Sequence, residues 1–137
     1  MKILVIDGQG GNIGRQLVKM ISEQIPDAQL RAVGTNSIAT ANMIKGGTSN
    51  AATGENSVLV CSRWADVIVG PIGIVIADAM MGEVTAAMAA AVGQSDAVKV
   101  LIPMNRCNTV IAGVDACSTN SLLDDALRRI KEAASNG

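Results

Sequence analysis

The chain has no histidine, no phenylalanine and no tyrosine, and only one tryptophan, three prolines and three cysteines among its 137 residues. Without histidine it lacks the one side chain that ordinarily exchanges a proton near neutral pH, and the commonest nitrogen ligand for a transition metal. Cys61, Cys107 and Cys117 are scattered, with none of the paired spacings of a zinc site, so no metal is expected from them. An odd, unpaired count fits a reducing, cytoplasmic setting. With almost no aromatic ring to stack on a base, and a net charge of -1, the chain has neither the platform nor the basic stripe of a general nucleic-acid binder. Long apolar runs are missing too. The longest weakly charged stretch, Pro71 to Gly93, is interrupted by Asp78, Gly82 and Glu83 and reads as buried core, not as a membrane span. Lys2 is followed by only four apolar residues before Asp7, too few for a secretory signal, so no membrane association is expected.

What the chain has is small aliphatic residues. Hydrophobic residues make up 49% of it, so the core must be built from Val, Ile, Leu, Ala and Met, packed closely. The length predicts one domain spanning residues 1–137, burying about two-thirds of its unfolded surface.

The organising stretch is the first eighteen residues. Ile3, Leu4, Val5 and Ile6 form a fully apolar strand that runs through Asp7 into the loop Gly8-Gln9-Gly10-Gly11-Asn12-Ile13-Gly14. The pattern then changes to helical spacing, with Ile13, Leu17, Met20 and Ile21 on one face and Arg15, Gln16, Lys19 and Ser22 on the other. Strand, glycine turn and amphipathic helix make the first half of a βαβ unit. In such a unit one glycine allows the tight turn (Gly8), another the approach of a phosphate (Gly10 or Gly11), and a third close helix–strand packing (Gly14). The helix N-terminus then faces any anion held by the turn.

Further strands are expected at Gln29–Val33, Ala65–Gly70 and Ala97–Ile102, with a weaker edge strand at Asn108–Gly113. Helices are expected from Ser37, as cap, to Lys45, from Glu83 to Val92, and from a Ser118 or Thr119 cap into the last turn of the chain. That last helix carries Asp124 and Asp125 early, and Arg128, Arg129 and Lys131 late, as the helix dipole prefers. Thr48 to Gly54 reads as a polar loop. Residues Ser57 to Cys61 fit either a short buried strand or a helix. Near-continuously apolar strands alternating with helices predict an α/β fold: a compact Rossmann-like three-layer sandwich with a mostly parallel central sheet and the first strand central.

Ligands of such sheets bind beyond the carboxyl ends of the strands. Those ends collect Asp7 and the loop Gly8 to Gly14, then Thr35, Asn36 and Ser37, then Gly70, Pro71, Ile72 and Gly73, and finally Asn105, Arg106 and Cys107. Asp7 admits two readings: a carboxylate that holds magnesium, bonds a ribose or takes a proton, and one that accepts loop N–H bonds and braces the turn. Arg106 is a candidate clamp for phosphate or carboxylate, or a surface ion-pair partner. Cys107 beside it is either a nucleophile or a small packing residue. Glu55 and Asn56 either close over the crevice or cap a helix.

The spacing Gly8-x-x-Gly11-x-x-Gly14, followed by Arg15-Gln16-Leu17-Val18, resembles the nucleotide-binding fingerprint of extended and atypical short-chain dehydrogenases. The resemblance implies NAD(P) or another nucleotide as ligand. It does not carry hydride chemistry across, because that family's catalytic tyrosine has no counterpart in a chain without tyrosine. An NAD site usually also has an acid at the end of the second strand; Gly34, Thr35 and Asn36 stand there, and Arg31 lies within the strand. The chain as a whole resembles a family of short bacterial Rossmann-like proteins of unknown function. The resemblance rests on Ile6-Asp7-Gly8-Gln9-Gly10-Gly11, Val33-Gly34-Thr35-Asn36-Ser37-Ile38-Ala39-Thr40, Thr53-Gly54-Glu55-Asn56, Gly70-Pro71-Ile72-Gly73-Ile74-Val75, Ile102-Pro103 and Asn105-Arg106-Cys107-Asn108.

Two functions from different classes follow. One is a module that binds a nucleotide or another small anionic ligand without transforming it. The other is a small enzyme on a nucleotide or phosphorylated substrate, using Asp7 and Arg106, with magnesium admitted as a cofactor. The helix Glu83–Val92 has small residues on nearly every side, so it must be covered all round: by a second copy, giving the expected homodimer, or by the sheet and its neighbouring helices.

Overall fold

The structure, a computed structural model, describes residues 1–104, 109–114 and 118–136. Five strands, β1 (Lys2–Asp7), β2 (Gln29–Gly34), β3 (Ala51–Thr53), β4 (Val67–Pro71) and β5 (Val98–Ile102), form one sheet in the order β3-β2-β1-β4-β5. Every pairing is parallel, with Ile3 level with Leu30 on one side and Val67 on the other. The expected three-layer α/β sandwich with β1 at its centre is the observed one.

Alternation along β1 explains the layers. Ile3 and Val5 face α1 (Asn12–Gln24), α2 (Ser37–Lys45) and α5 (Thr119–Asn136), packing with Leu17, Val18, Ile21, Met43, Leu127 and Ile130. Leu4 and Ile6 face α3 (Glu55–Trp64), a 3-10 helix (Ile72–Val75) and α4 (Ala86–Gln94), packing with Val58, Ile74, Met88 and Val92. Ile3, Leu4 and Val5 are fully buried, so β1 is apolar on both faces, as a strand covered on both faces must be. Each such side chain contributes about 1.5–3 kcal/mol of burial.

Three local expectations are corrected and one open choice is decided. Thr48–Gly54 is not all loop: Ala51–Thr53 adds edge strand β3, paired with Ala32–Gly34. Its three alanine and threonine residues carry too little apolar signal to stand out. Ser57–Cys61 belongs to helix α3, where Val58, Cys61 and Ser62 are buried at helical spacing. Residues 109–114 form no strand; the rest of that stretch lies outside the described residues. The helix expected from Glu83 starts only at Ala86, capped by Thr85, because Asp78, Met80, Met81 and Gly82 take positive φ and reverse the chain before it. Among the described residues, no helix is long and apolar enough to cross a membrane.

Candidate functional site

Asp7, the last residue of β1, is only 4% exposed. Its two oxygens are both used: Oδ1 accepts the Gly8 N–H at 2.8 Å and Oδ2 accepts the Gly14 N–H at 2.7 Å. The carboxylate thus clamps the two ends of the glycine turn together. Burial pushes its pKa up, the two N–H bonds oppose that, and the nearby Glu83 carboxylate adds to the rise.

The glycines divide the work differently from the simple fingerprint. Gly11 is the N-cap of α1 at φ 74°, ψ 16°, a left-handed conformation that side chains resist. A β-carbon there would also stand 2.7 Å from the Ala39 Cα, so Gly11 lets the start of α2 lie against the turn. Gly14 admits the Met43 sulfur and the Asp7 Cβ, which would be 2.6 and 2.8 Å from a β-carbon. Gly10 alone faces open space: the nearest atom to a β-carbon would be Asn12 Nδ2 at 3.9 Å.

The turn is braced from α2. Asn36 caps that helix through Oδ1, which accepts the Ala39 N–H at 2.9 Å, while its Nδ2 donates to the Gln9 carbonyl at 3.0 Å. Asn36, not Ser37, is therefore the cap; Ser37 is the exposed first residue of the helix. Asn42 donates to the Gly10 carbonyl at 2.8 Å and to Asn12 Oδ1 at 3.0 Å. Gly11 N–H closes on the Gly8 carbonyl and Arg15 N–H on the Gly11 carbonyl. Among the described residues this leaves the N–H groups of Gly10, Asn12 and Ile13 without an acceptor, at the positive end of α1.

A second carboxylate stands over Gly8. Glu83 Oε1 accepts the Gln9 N–H at 2.9 Å, the Thr35 hydroxyl at 2.7 Å and Asn36 Nδ2 at 2.7 Å. Partial burial pushes its pKa up, but those three hydrogen bonds outweigh it and hold the carboxyl below its usual range. Neither Glu83 nor Asn42 was singled out from the sequence. The missing acid at the end of β2 was the available signal for Glu83, since it directs attention to acids in the other strand-end loops.

At the end of β4, Pro71, Ile72 and Gly73 join Gln9, Ala79 and Met80 around a recess of about 40 Å³. Gly70 lies flat against β1, where a β-carbon would strike the Ile6 carbonyl oxygen. The structure therefore brings the first three strand-end segments together; Asn105, Arg106 and Cys107 lie outside the described residues. Glu55 opens α3 and accepts the Thr85 hydroxyl at 2.6 Å, tying α3 to the start of α4. Among the described residues no three His, Cys, Asp or Glu side chains converge as a metal site would require. A larger hollow, about 970 Å³, lies along β5 and α5 beside Val98, Leu101, Ala126 and Arg129. It is an open trough at the sheet edge whose Lys99 and Arg129 are engaged by the Ser95 carbonyl and by Asp125, so size alone does not make it the better candidate. The 40 Å³ recess is far below the roughly 300–1,000 Å³ of a small-molecule pocket. Any ligand on the glycine turn would therefore lie along its surface, or move the Met80 side chain aside.

No curated protein matches the sequence. Among solved structures, a dodecameric FMN-dependent UbiX-like decarboxylase from Escherichia coli O157:H7 is similar at 18% identity and a TM-score of 0.47, over 96% of this chain and 77% of that one. That likeness is too slight to bear on ligand or activity. The family model of the domain of unknown function DUF3842 matches residues 2–135, nearly the whole length, and the chain belongs to that family.

Proposed function

We propose that the glycine turn holds the phosphate of a nucleotide or another phosphorylated small molecule, and that the protein is a binding module, not an enzyme. The carrying observation is a contrast within one loop. The N–H groups of Gly8, Gln9, Gly11 and Gly14 and the carbonyls of Gly8, Gln9, Gly10 and Gly11 all have partners in the chain, whereas the N–H groups of Gly10, Asn12 and Ile13 have none among the described residues. Such a set is complementary to phosphate oxygens. The engagement of Asp7 favours binding over catalysis: it is 4% exposed, and both of its oxygens already brace the ends of the turn. NAD, NADP and mononucleotides all belong to the proposed class. We place the protein in the reducing cytoplasm, where the buried free thiol of Cys61 is stable, as a homodimer through the Ala86, Ala87 and Ala90 face of α4, all three exposed in the single chain.

A panel of nucleotides, dinucleotides and sugar phosphates, with and without magnesium, tests the reading by thermal shift. A ligand at a hundredfold its Kd adds about 2.7 kcal/mol. Gly10→Asp, at the open position of the turn, should abolish the shift while leaving the unliganded melting temperature nearly unchanged. No shift across the panel, or an equal shift in Gly10→Asp, overturns the proposal.

A further inference from the structure

Glu83 lies in the loop between β4 and α4, yet its carboxylate stands beside the end of β2, bonded to Thr35 and Asn36. Its oxygen would be 3.2 Å from a β-carbon on Gly8, so it sits directly above the tight turn. In a dinucleotide site that neighbourhood is where an acid from the second strand meets the ribose hydroxyls. Here the second strand ends in Gly34, Thr35 and Asn36 and supplies no acid.

The loop is built to hold Glu83 there. Asp78 N–H bonds to the Val84 carbonyl at 2.7 Å and Val84 N–H to the Ala79 carbonyl at 3.2 Å, closing the loop at its base. Ala79 and Val84 are 2% and 1% exposed, so the base is seated in the core. The left-handed residues Met80, Met81 and Gly82 then turn the chain so that Glu83 reaches back over Gln9.

All three donors meet one oxygen, Oε1; among the described residues Oε2 accepts nothing. A carboxylate fixed by one oxygen and uncommitted at the other is an acceptor in waiting. It suits a ligand that brings hydroxyl hydrogens and repels one that brings a second phosphate to the same place.

We propose that Glu83 determines specificity in the crevice, accepting the hydroxyls of a ribose whose phosphate lies on the Gly10, Asn12 and Ile13 N–H groups, so that the ligand is a ribonucleotide with a free 2′-hydroxyl. This rests on the phosphate-binding reading above. The carboxylate thereby takes, from the fourth strand's loop, the place left vacant by the second.

Glu83→Gln is the decisive variant. The glutamine carbonyl oxygen still accepts the three anchoring bonds, so the loop stays folded, and only the uncommitted oxygen changes from an acceptor to an amide donor. Calorimetric titrations would use ADP, 2′-deoxy-ADP, adenosine 2′,5′-bisphosphate and inorganic pyrophosphate. The wild type should bind ADP about tenfold more tightly than 2′-deoxy-ADP, a difference of about 1.4 kcal/mol, and should bind the 2′-phosphate more weakly still. In Glu83→Gln the ADP preference should fall to within about twofold, the 2′-phosphate should gain affinity, and pyrophosphate should be unchanged. If the wild type binds pyrophosphate but does not distinguish ADP from 2′-deoxy-ADP, the role of Glu83 is overturned and the phosphate site stands. If Glu83→Gln binds pyrophosphate and ADP equally more tightly, the carboxylate merely blocks the site, and the proposal also falls. If the wild type binds none of the four, the phosphate site itself falls with it.

Discussion

Gly10 and Gly11 are adjacent in the sequence and opposite in what a methyl group would do to them. At Gly11 an alanine would have to hold φ 74°, at a cost of about 1–2 kcal/mol for a left-handed residue. Its β-carbon would also stand 2.7 Å from the Ala39 Cα and 2.8 Å from the Ala39 carbonyl oxygen. Both are main-chain atoms of a capped helix, which cannot turn aside as a side chain can, so overpacking adds about 1–3 kcal/mol. A sum near 3 kcal/mol is a large share of the roughly 7–20 kcal/mol expected for a chain of this length. It corresponds to a melting temperature lower by about 10 °C. At Gly10 the left-handed requirement is absent and the nearest neighbour of the new methyl is Asn12 Nδ2 at 3.9 Å, so Gly10→Ala should stay within about 0.5 kcal/mol of wild type. Thermal melts of both variants give the comparison directly. If Gly11→Ala melts within about 3 °C of wild type, or Gly10→Ala loses as much as Gly11→Ala, the division of labour in the turn is wrong.

Asp7→Asn should destabilise by about 1–3 kcal/mol at neutral pH, because an amide can accept only one of the two N–H groups and turns its own donors toward the other. Since burial raises the Asp7 pKa in the fold, the stability linked to its protonation is fully present below the unfolded value and is lost as pH rises through the folded one. The gap between wild type and Asp7→Asn, followed by urea melts between pH 4 and 8, should therefore widen toward acid; a gap that narrows toward acid would show that the N–H bonds outweigh burial. Light scattering should report about twice the chain mass for the wild type and a single-chain mass for Ala87→Glu and Ala90→Glu; a monomeric wild type removes the homodimer.

The layered fold was legible because β1 and β4 are apolar on both faces, and few structures other than a covered parallel sheet accommodate such strands. The turn was legible because its glycines fall between a strand and a helix whose periods are unmistakable. The roles within the turn were not, since whether a glycine faces a helix or open space depends on α2, which approaches from residues 36–45. Asp7 kept two readings until its oxygens could be counted against the N–H groups around them. Glu83 was hidden for a different reason. It meets Gln9, Thr35 and Asn36 across more than forty intervening residues, and no local pattern encodes such a meeting. Ala51–Thr53 escaped notice because an edge strand needs only backbone to pair.

The central place of β1 has a consequence for the order in which the chain is made. During synthesis β1 can pair early with β2, which begins at Gln29, but its other edge waits for β4, which begins at Val67. Between those moments a growing chain carries Leu4 and Ile6 without the cover of α4 and the 3-10 helix, and one row of β1 backbone groups without a partner. An unpaired parallel edge beside apolar side chains is the kind of surface that binds chaperones or other nascent chains. The ribosome, at roughly 5–20 residues per second, leaves that edge open for several seconds. Expression yield should therefore respond to the translation speed of residues 35–66 more than to changes made after β4 has emerged.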